Sequence, residues 1–234
     1  MFEGKKKAVT FSYDDGVRQD IRLIKLMDKY GIRATFNLNS NLFGVEGDDV
    51  RKGTYIRADR LNKEDVRYVY ENHEVAAHTL THPNLNLISD QEIIRQVEQD
   101  RQNLQDIIGR QVKGLAYPGG GINYNTHVAQ VIKKYTKVEY ARTTINTDSF
   151  FRQKNLFELK PNVYHTMNKN RLFEMGKQFL ESKGEQDLVL YVWGHSFELD
   201  IADGWTHLEK FLRMISGHND IFYGTNSEVL LNGK

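Results

Sequence analysis

The chain has 234 residues, of which 39% are hydrophobic, and its 32 basic and 31 acidic side chains give a formal net charge of +1. A chain of this length can bury a substantial core, so we expect a single domain over residues 1–234. The near-zero net charge gives no global field to attract nucleic acid or an anionic membrane, and we expect neither as a partner. The absence of cysteine excludes thiolate chemistry, disulfides and cysteine-based metal sites.

No apolar run approaches the roughly 18 residues that a membrane-spanning helix needs. The first seven residues, MFEGKKK, lack the apolar segment of a secretory signal. We therefore expect a soluble protein that is cytoplasmic or already trimmed. The sequence carries no signal of the oligomeric state.

The first half of the chain alternates apolar runs with helical periodicity. Residues 8–11 predict a first strand, which runs into the adjacent carboxylates Asp14 and Asp15. Helical spacing from residue 21 to residue 30 predicts a helix, with Asp20 as its cap and Gly31 as its end. Residues 34–38 predict a second strand, which completes a β-α-β unit and indicates a parallel sheet. Residues 43–60, rich in glycine and charge, predict a long loop of a kind that is often functional.

The alternation continues to the end of the chain. Residues 62–72 predict a short helix and residues 74–77 a third strand, and Ser89 with Glu92 forms a capping-box signature that opens a helix ending near residue 108. Strands are predicted at 114–117 and 139–143, on either side of a helix at 126–135, and a sixth strand is predicted around 157–159. The last predicted elements are helices near 172–184 and 208–215, strands at 187–193 and 221–223, and a helix from residue 227.

This alternation, without a glycine-rich dinucleotide fingerprint, favours an α/β fold of the (β/α) barrel type over a Rossmann sheet. Six residues with useful chemistry fall at or near the carboxyl ends of predicted strands, the rim where barrel enzymes build their sites. They are Asp14, Asp15, His78, Pro118, Arg142 and His195. The sequence therefore predicts an active site at this rim.

His78 and His82 are four residues apart, a spacing that lets two imidazoles face one point from a helical turn or a tight loop. Alone, such a pair is more often solvated than metal-bound. Asp15 would bring the set to three ligands with an open position, as in a catalytic zinc site. The same trio suits cobalt, nickel or manganese and also forms the facial triad of non-haem iron oxygenases, but the adjacent Asp14 and the distal His195 fit hydrolysis better.

The motifs that contain these residues resemble those of carbohydrate esterase family 4, the polysaccharide deacetylases with a NodB-type domain. Ser12-Tyr13-Asp14-Asp15-Gly16 is similar to the first family motif, and HTLTH at 78–82 to the second. The stretches LAYPGG at 115–120 and VWGH at 192–195 are similar to the third and last motifs. The resemblance spans most of the chain and implies a distorted (β/α) barrel of seven or eight parallel strands.

The resemblance also implies roles for the residues at the rim. Asp15, His78 and His82 would hold one divalent metal, with zinc favoured, which would polarise the amide carbonyl and acidify a bound water. Asp14 would act as the base, and His195 would protonate the departing amine. The implied reaction is the removal of acetyl groups from an N-acetylated, and by extension O-acetylated, sugar or polysaccharide.

Further candidates concern the oxyanion and the substrate. The backbone N–H of Gly119 would help to stabilise the oxyanion. Tyr117 and Asn39, near strand exits, are candidates for substrate binding. Trp205, in a predicted loop, is the better sugar-stacking platform, because Trp193 precedes His195 on a buried strand and is at least as well explained by core packing.

The sequence departs from the family pattern at two motifs. The third motif usually carries an arginine that holds the base, and Ala116 stands there instead; we hypothesise that Arg142 supplies this cation from the next strand. The fourth motif has no clear counterpart, although Asp148 is a candidate. Glu198 is better explained as a charged loop residue without a role than as a residue that orients His195 or contacts the substrate.

Two other functions remain open at this stage. The missing arginine and the long 43–60 loop are compatible with a NodB-like amidohydrolase that acts on a small non-sugar amide or ureide. The altered motifs are also compatible with a carbohydrate-binding relic that holds metal without turnover. Against the relic, the base, the acid and all three metal ligands are present.

Overall fold

A parallel β-sheet forms the centre of the computed structural model, which describes residues 2–51, 53–166 and 169–231. The strands are β1 (Lys7–Asp14), β2 (Thr35–Leu38), β3 (Asp48–Arg51), β4 (Thr54–Arg57), β5 (Glu74–Ala77), β6 (Gly114–Ala116), β7 (Tyr140–Arg142), β8 (Val163–Tyr164), β9 (Leu188–Gly194) and β10 (Ile221–Tyr223). The α-helices are α1 (Asp20–Lys29), α2 (Lys63–Val69), α3 (Asp90–Ile94), α4 (Asp100–Ile108), α5 (Thr126–Tyr135), α6 (Lys169–Glu181), α7 (Gly204–Ile215) and α8 (Asn226–Leu230).

The sheet runs in the order β7-β6-β5-β2-β1-β9-β8, and β10 pairs with the first half of β1 beside β2. All of these pairings are parallel. The two ends of the sheet approach each other because Leu159 bridges to Arg142 on β7 and the following β8 pairs with β9. This geometry confirms the predicted distorted barrel with parallel strands.

Strand β1 lies at the centre of the core, and its residues from Ala8 to Asp14 are all buried. Helices α1, α6 and α7 cover the sheet with apolar side chains such as Leu23, Met175 and Phe211, all fully buried. A sheet covered by helices explains why β1 and β9 are nearly continuous apolar runs. The consequence is that Asp14, the carboxylate at the end of β1, is buried.

The predicted loop at 43–60 is in fact a β-hairpin, formed by the antiparallel strands β3 and β4. Ile56 of β4 is buried against Val17 and Phe197, and the backbone N–H of Arg18 donates to the carbonyl of Asp59. The hairpin was hidden in the sequence because six of its eight strand residues are exposed and four are charged, so apolar alternation is absent. It packs beside the carboxyl end of the sheet.

Three other local predictions need correction. Asp20 does not cap α1: it is the first helical residue, it is buried, and it accepts hydrogen bonds from Tyr70 and Ser196. The sixth strand is displaced from 157–159 to β8, because within the predicted stretch only Leu159 makes a bridge, to Arg142. The helix that Ser89 caps is not regular throughout, since a π-helical turn, Arg95–Gln99, joins α3 to α4. None of the described helices is long and apolar enough to cross a membrane.

Candidate metal centre and active site

Three side chains that could ligate a metal converge at the carboxyl end of the sheet. The ligand atoms of Asp15, His78 and His82 all lie within 4.8 Å of one another. Asp15 Oδ1 lies 3.8 Å from His78 Nε2 and 3.9 Å from His82 Nε2. This oxygen is buried without a well-directed hydrogen bond, although Arg60 Nη1 lies 3.0 Å away. One carboxylate oxygen and two imidazole nitrogens this close to one another fit a divalent cation.

The surroundings of His78 leave one of its nitrogens directed at this centre. Its Nδ1 lies 2.8 Å from the carbonyl oxygen of Ala116, so Nδ1 carries the hydrogen and Nε2 keeps its lone pair. Burial lowers the pKa of His78 to about 4, which makes the imidazole neutral at pH 7. The side chain of Asp100 accepts a hydrogen bond from the backbone N–H of His78 at 3.0 Å. His78 is thus held in the form that a metal ligand requires.

Backbone conformations that are costly for non-glycine residues cluster around the three candidate ligands. Asp15, Thr79 and His82 have φ angles of 87°, 71° and 59°. The side chain of Asn39 donates to the carbonyls of His78 and Thr79 at 2.6 and 2.9 Å. Asn39, predicted to bind substrate, therefore holds the loop that carries the histidines and does not line the cavity described below.

Asp14 is paired with Arg142 inside the protein. One guanidinium nitrogen of Arg142 donates to both carboxylate oxygens at 2.6 and 2.5 Å, and Asn37 donates to Oδ1 at 2.7 Å. Burial acts to raise the pKa of Asp14, but Arg142, His78 and His195 together outweigh it and hold this pKa below its usual value. Arg142 is the register partner of Ala116 on the neighbouring strand. The hypothesised contact between Arg142 and the candidate base is therefore present, whereas the catalytic roles of both remain predictions.

His195 lies near the second carboxylate oxygen of Asp15, whereas the two candidate ligand histidines lie near the first. Its Nε2 is 3.7 Å from Asp15 Oδ2, and its Nδ1 is 2.7 Å from the hydroxyl of Tyr164. Tyr164 is therefore the residue in contact with Nδ1 of His195. The sequence did not identify this contact. Asp148 is far from such a role: its side chain is 85% exposed and pairs with Arg171.

Glu198 is buried beside this pair of rings. It accepts hydrogen bonds from Arg51 Nε at 2.9 Å and from Thr166 Oγ1 at 3.0 Å. Burial acts to raise the pKa of Glu198, but His165, His195 and Tyr164 together lower it to about 2. The carboxylate of Glu198 is buried, ionised and hydrogen-bonded, unlike a solvated charge on a loop. Glu198 therefore forms part of the wall of the site.

A cavity of about 480 Å³, which we call the site cavity, is lined by Asp14, Asp15, His78, His82, Arg51, Tyr164, His195 and Glu198. Besides the residues above, its lining includes Asp49 of the hairpin, Gly119, Gly120, Thr144 and Trp193. The N–H of Gly119, predicted to stabilise an oxyanion, donates to His82 Nε2 at 3.2 Å. It is close to the candidate metal centre, but it would have to leave this contact to bind an oxyanion.

Two predicted substrate contacts lie elsewhere. Tyr117 is fully buried, stacks on Tyr124 and donates to the carbonyl of Phe157 at 2.9 Å. Trp205 donates to Asp200, and the guanidinium of Arg22 lies 4.2 Å from its ring centre. Neither residue lines the site cavity, so the structure does not bring these two predicted substrate contacts to the candidate metal centre. The tryptophan that does line it is Trp193.

Comparison with known families identifies the family of the chain. The model of the family described as polysaccharide deacetylase matches residues 3–139. The chain belongs to the polysaccharide deacetylase family. The matched part contains Asp14 and the three candidate metal ligands, whereas Arg142, Tyr164 and His195 lie beyond it. The family resemblance predicted from the motifs is therefore confirmed.

Solved structures of other deacetylase-family proteins share the fold at low identity. A family 4 carbohydrate esterase from Streptomyces lividans, in complex with acetate, is 15% identical with a TM-score of 0.61, and the alignment covers 96% of this chain and 95% of that one. A protein from Mycobacterium smegmatis assigned as a polysaccharide deacetylase is 14% identical with a TM-score of 0.69, over 97% and 90% of the two chains. Likeness at these identities shows the fold alone.

The fold is also shared by a family 4 pseudoenzyme from Bacillus anthracis, at 17% identity and a TM-score of 0.56, over 97% of this chain and 66% of that one. A mutant of this pseudoenzyme, described as having restored enzymatic activity, is 16% identical with a TM-score of 0.60, over 97% and 68%. The present chain thus spans about two thirds of the length of the pseudoenzyme. A search among curated proteins finds no match.

Several residues of this deacetylase-family site could not be found from the sequence. Tyr164 lies in the 144–168 stretch, where periodicity is absent, and Asp49 and Arg51 lie in the hairpin that was predicted as a loop. Asn37 and Arg60 are polar residues on or beside predicted elements, without a motif to distinguish them. The one signal available was position, since Asn37 lies near the end of a strand adjacent to β1.

Proposed function

We propose that this protein is a metal-dependent hydrolase that removes acetyl groups from an N-acetylated sugar or polysaccharide. The observation that carries the proposal is the convergence of Asp15, His78 and His82 within 4.8 Å, beside the buried pair of Asp14 and Arg142. Membership of the polysaccharide deacetylase family supports the same substrate class.

Asp15, His78 and His82 would hold the divalent cation, for which zinc is the favoured identity. A cation at that position supplies Lewis acidity for the acetyl carbonyl and lowers the pKa of a nearby water. The neutral state of His78 and the single carboxylate of Asp15 leave a net positive charge when a divalent ion is bound. Such a site favours the negative charge that develops on the carbonyl oxygen in the transition state.

Proton movement falls to two residues on either side of this centre. Asp14 accepts the proton of the attacking water on a carboxylate oxygen, and Arg142 keeps that carboxylate ionised beforehand. His195 donates a proton from Nε2 to the leaving nitrogen as the bond between carbon and nitrogen breaks. Tyr164 fixes the ring orientation of His195 through Nδ1. The products are acetate and a free amine.

An acetate-release screen tests the proposal. Purified protein is assayed on N- and O-acetylated glycans as isolated, after the metal is removed with a chelator, and after zinc, cobalt, nickel or manganese is restored. We expect release from at least one N-acetylated sugar, a loss of at least about a hundredfold on metal removal, and recovery with one of the ions.

A matched pair of variants controls the screen. His82→Ala should lose both metal content and acetate release, whereas His127→Ala should keep both, because His127 is exposed and pairs with Asp90 away from the site. Acetate release that survives complete metal removal, or no release from any acetylated glycan with metal restored, contradicts the proposed function.

The role of Tyr164 is tested by Tyr164→Phe. Loss of a hydrogen bond worth roughly 1.4 kcal/mol to the orientation of His195 should lower kcat about tenfold, with little change in KM. Tyr117→Phe is the control, because the hydroxyl of Tyr117 donates to a backbone carbonyl outside the site cavity. Steady-state kinetics on the best substrate of the screen gives the result, and an equal fall in kcat for both variants would rule out an orienting role.

A further inference from the structure

A second cavity lies next to the site cavity. It has a volume of about 240 Å³, and it shares the lining residues Arg51 and Glu198 with the site cavity. Because Arg51 Nε donates to Glu198 at 2.9 Å, this ion pair stands where the two cavities meet. We call this second space the side cavity.

The side cavity is lined by the aliphatic side chains of Leu199, Ile201, Ala202 and Leu208 and, besides Arg51 and Glu198, by the polar residues His165, Thr166 and His207. Its charged groups, Arg51 and Glu198, already neutralise each other, and Glu198 has further hydrogen bonds. A charged ligand would therefore have to break existing pairs, whereas an uncharged apolar group gains burial against the aliphatic side chains. The side cavity suits an apolar group that carries no charge.

The position of the side cavity relates it to one half of the substrate. Tyr164 contacts His195 at 2.7 Å, both residues line the site cavity together with Glu198, and Glu198 also lines the side cavity. Under the proposed function, His195 protonates the leaving nitrogen. The amine-bearing half of the substrate therefore lies against the wall that the side cavity continues.

We propose that the side cavity is a subsite for an apolar substituent on the amine-bearing half of the substrate, namely the alkyl or aryl aglycone of an N-acetylated glycoside. This inference rests on the proposed function. Arg51 is the gate: it projects from the hairpin, 44% of its side chain is exposed, and it must turn aside for the substituent to pass from one cavity into the other.

The test compares acetate release from the methyl and benzyl β-glycosides of N-acetylglucosamine. We expect kcat/KM for the benzyl glycoside to be at least about tenfold higher, because the ring is buried among aliphatic side chains. Ile201→Trp, which fills the side cavity, should remove this advantage and leave turnover of the methyl glycoside unchanged. Leu87→Trp is the matched control, since Leu87 is 81% exposed and lines neither cavity.

A second measurement does not depend on a variant. Benzyl β-glucoside, which has no acetyl group, should inhibit the methyl glycoside reaction at a concentration at least about tenfold lower than methyl β-glucoside does. Equal inhibition, or equal kcat/KM for the two N-acetylated glycosides, would overturn the subsite and leave the proposed deacetylase function intact. No acetate from any glycoside with metal restored would overturn the proposed function, and this inference with it. Faster release from N-acetylated aryl amines than from any glycoside would overturn the assignment to an aglycone.

Discussion

Replacing Asp14 by Asn is expected to lower kcat/KM for acetate release by roughly a hundredfold to ten-thousandfold. The amide keeps the size of the side chain but cannot accept the proton of the attacking water. Metal content should stay close to that of the wild type, because the candidate ligands are Asp15, His78 and His82. Acetate assays on the best substrate, together with elemental analysis of the purified variant, measure both quantities.

The control for this variant is Asp49→Asn. Asp49 also presents a carboxylate to the site cavity, but its partner is Arg51 of the same hairpin. We expect it to keep activity within about threefold of the wild type, because a partly exposed ion pair contributes little. If Asp14→Asn were as active as Asp49→Asn, Asp14 could not be the base. A wild-type protein that binds sugar but never releases acetate would favour the carbohydrate-binding relic.

Removal of the cation beside Asp14 should produce the largest loss of stability. Arg142→Met leaves a buried carboxylate without its partner, and breaking a buried ion pair in this way costs about 3–5 kcal/mol in the free energy of unfolding. Arg142 is fully buried, so solvent cannot replace the lost contact. Its guanidinium also lies 4.5 Å from the ring centre of Trp193, and that contact is lost too. Urea unfolding monitored by circular dichroism gives the change.

Two further variants separate the ion pair from a general effect of losing an arginine. Arg171→Met removes a cation from the exposed pair with Asp148 and should cost less than about 1 kcal/mol. The double variant Arg142→Met with Asp14→Asn should recover part of the lost stability, because the second change removes the uncompensated charge. A double variant less stable than Arg142→Met would contradict this account.

The main features of the fold could be predicted because they depend on local rules. Apolar runs of strand length, separated by helical periodicity, predicted most of the boundaries of β1, β5 and β9 to within one or two residues. Since the carboxyl ends of parallel strands share one rim, Asp15 and His78 were expected to meet although 63 positions separate them. The same rule directed attention to Arg142.

The parts that could not be predicted depend on long-range contacts. Tyr164 belongs to a strand of two residues that follows Pro161 and pairs with β9, so no periodicity marks it. The hairpin of β3 and β4 consists mostly of exposed residues, and its position is set by the burial of Ile56. Trp205 was expected in a loop beside the sugar, but it lies in the first turn of α7 with Arg22 against its ring.

The register of β6 and β7 bears on how activity is judged across this family. Ala116 stands where the third motif usually has its arginine, and its partner directly across the ladder is Arg142. Register partners on neighbouring strands can direct a side chain to the same point. The cation is therefore supplied from β7 instead of β6. The absence of arginine from the third motif is consequently not sufficient evidence that such a chain is inactive. The better criterion is whether any strand delivers a guanidinium to the first-motif carboxylate.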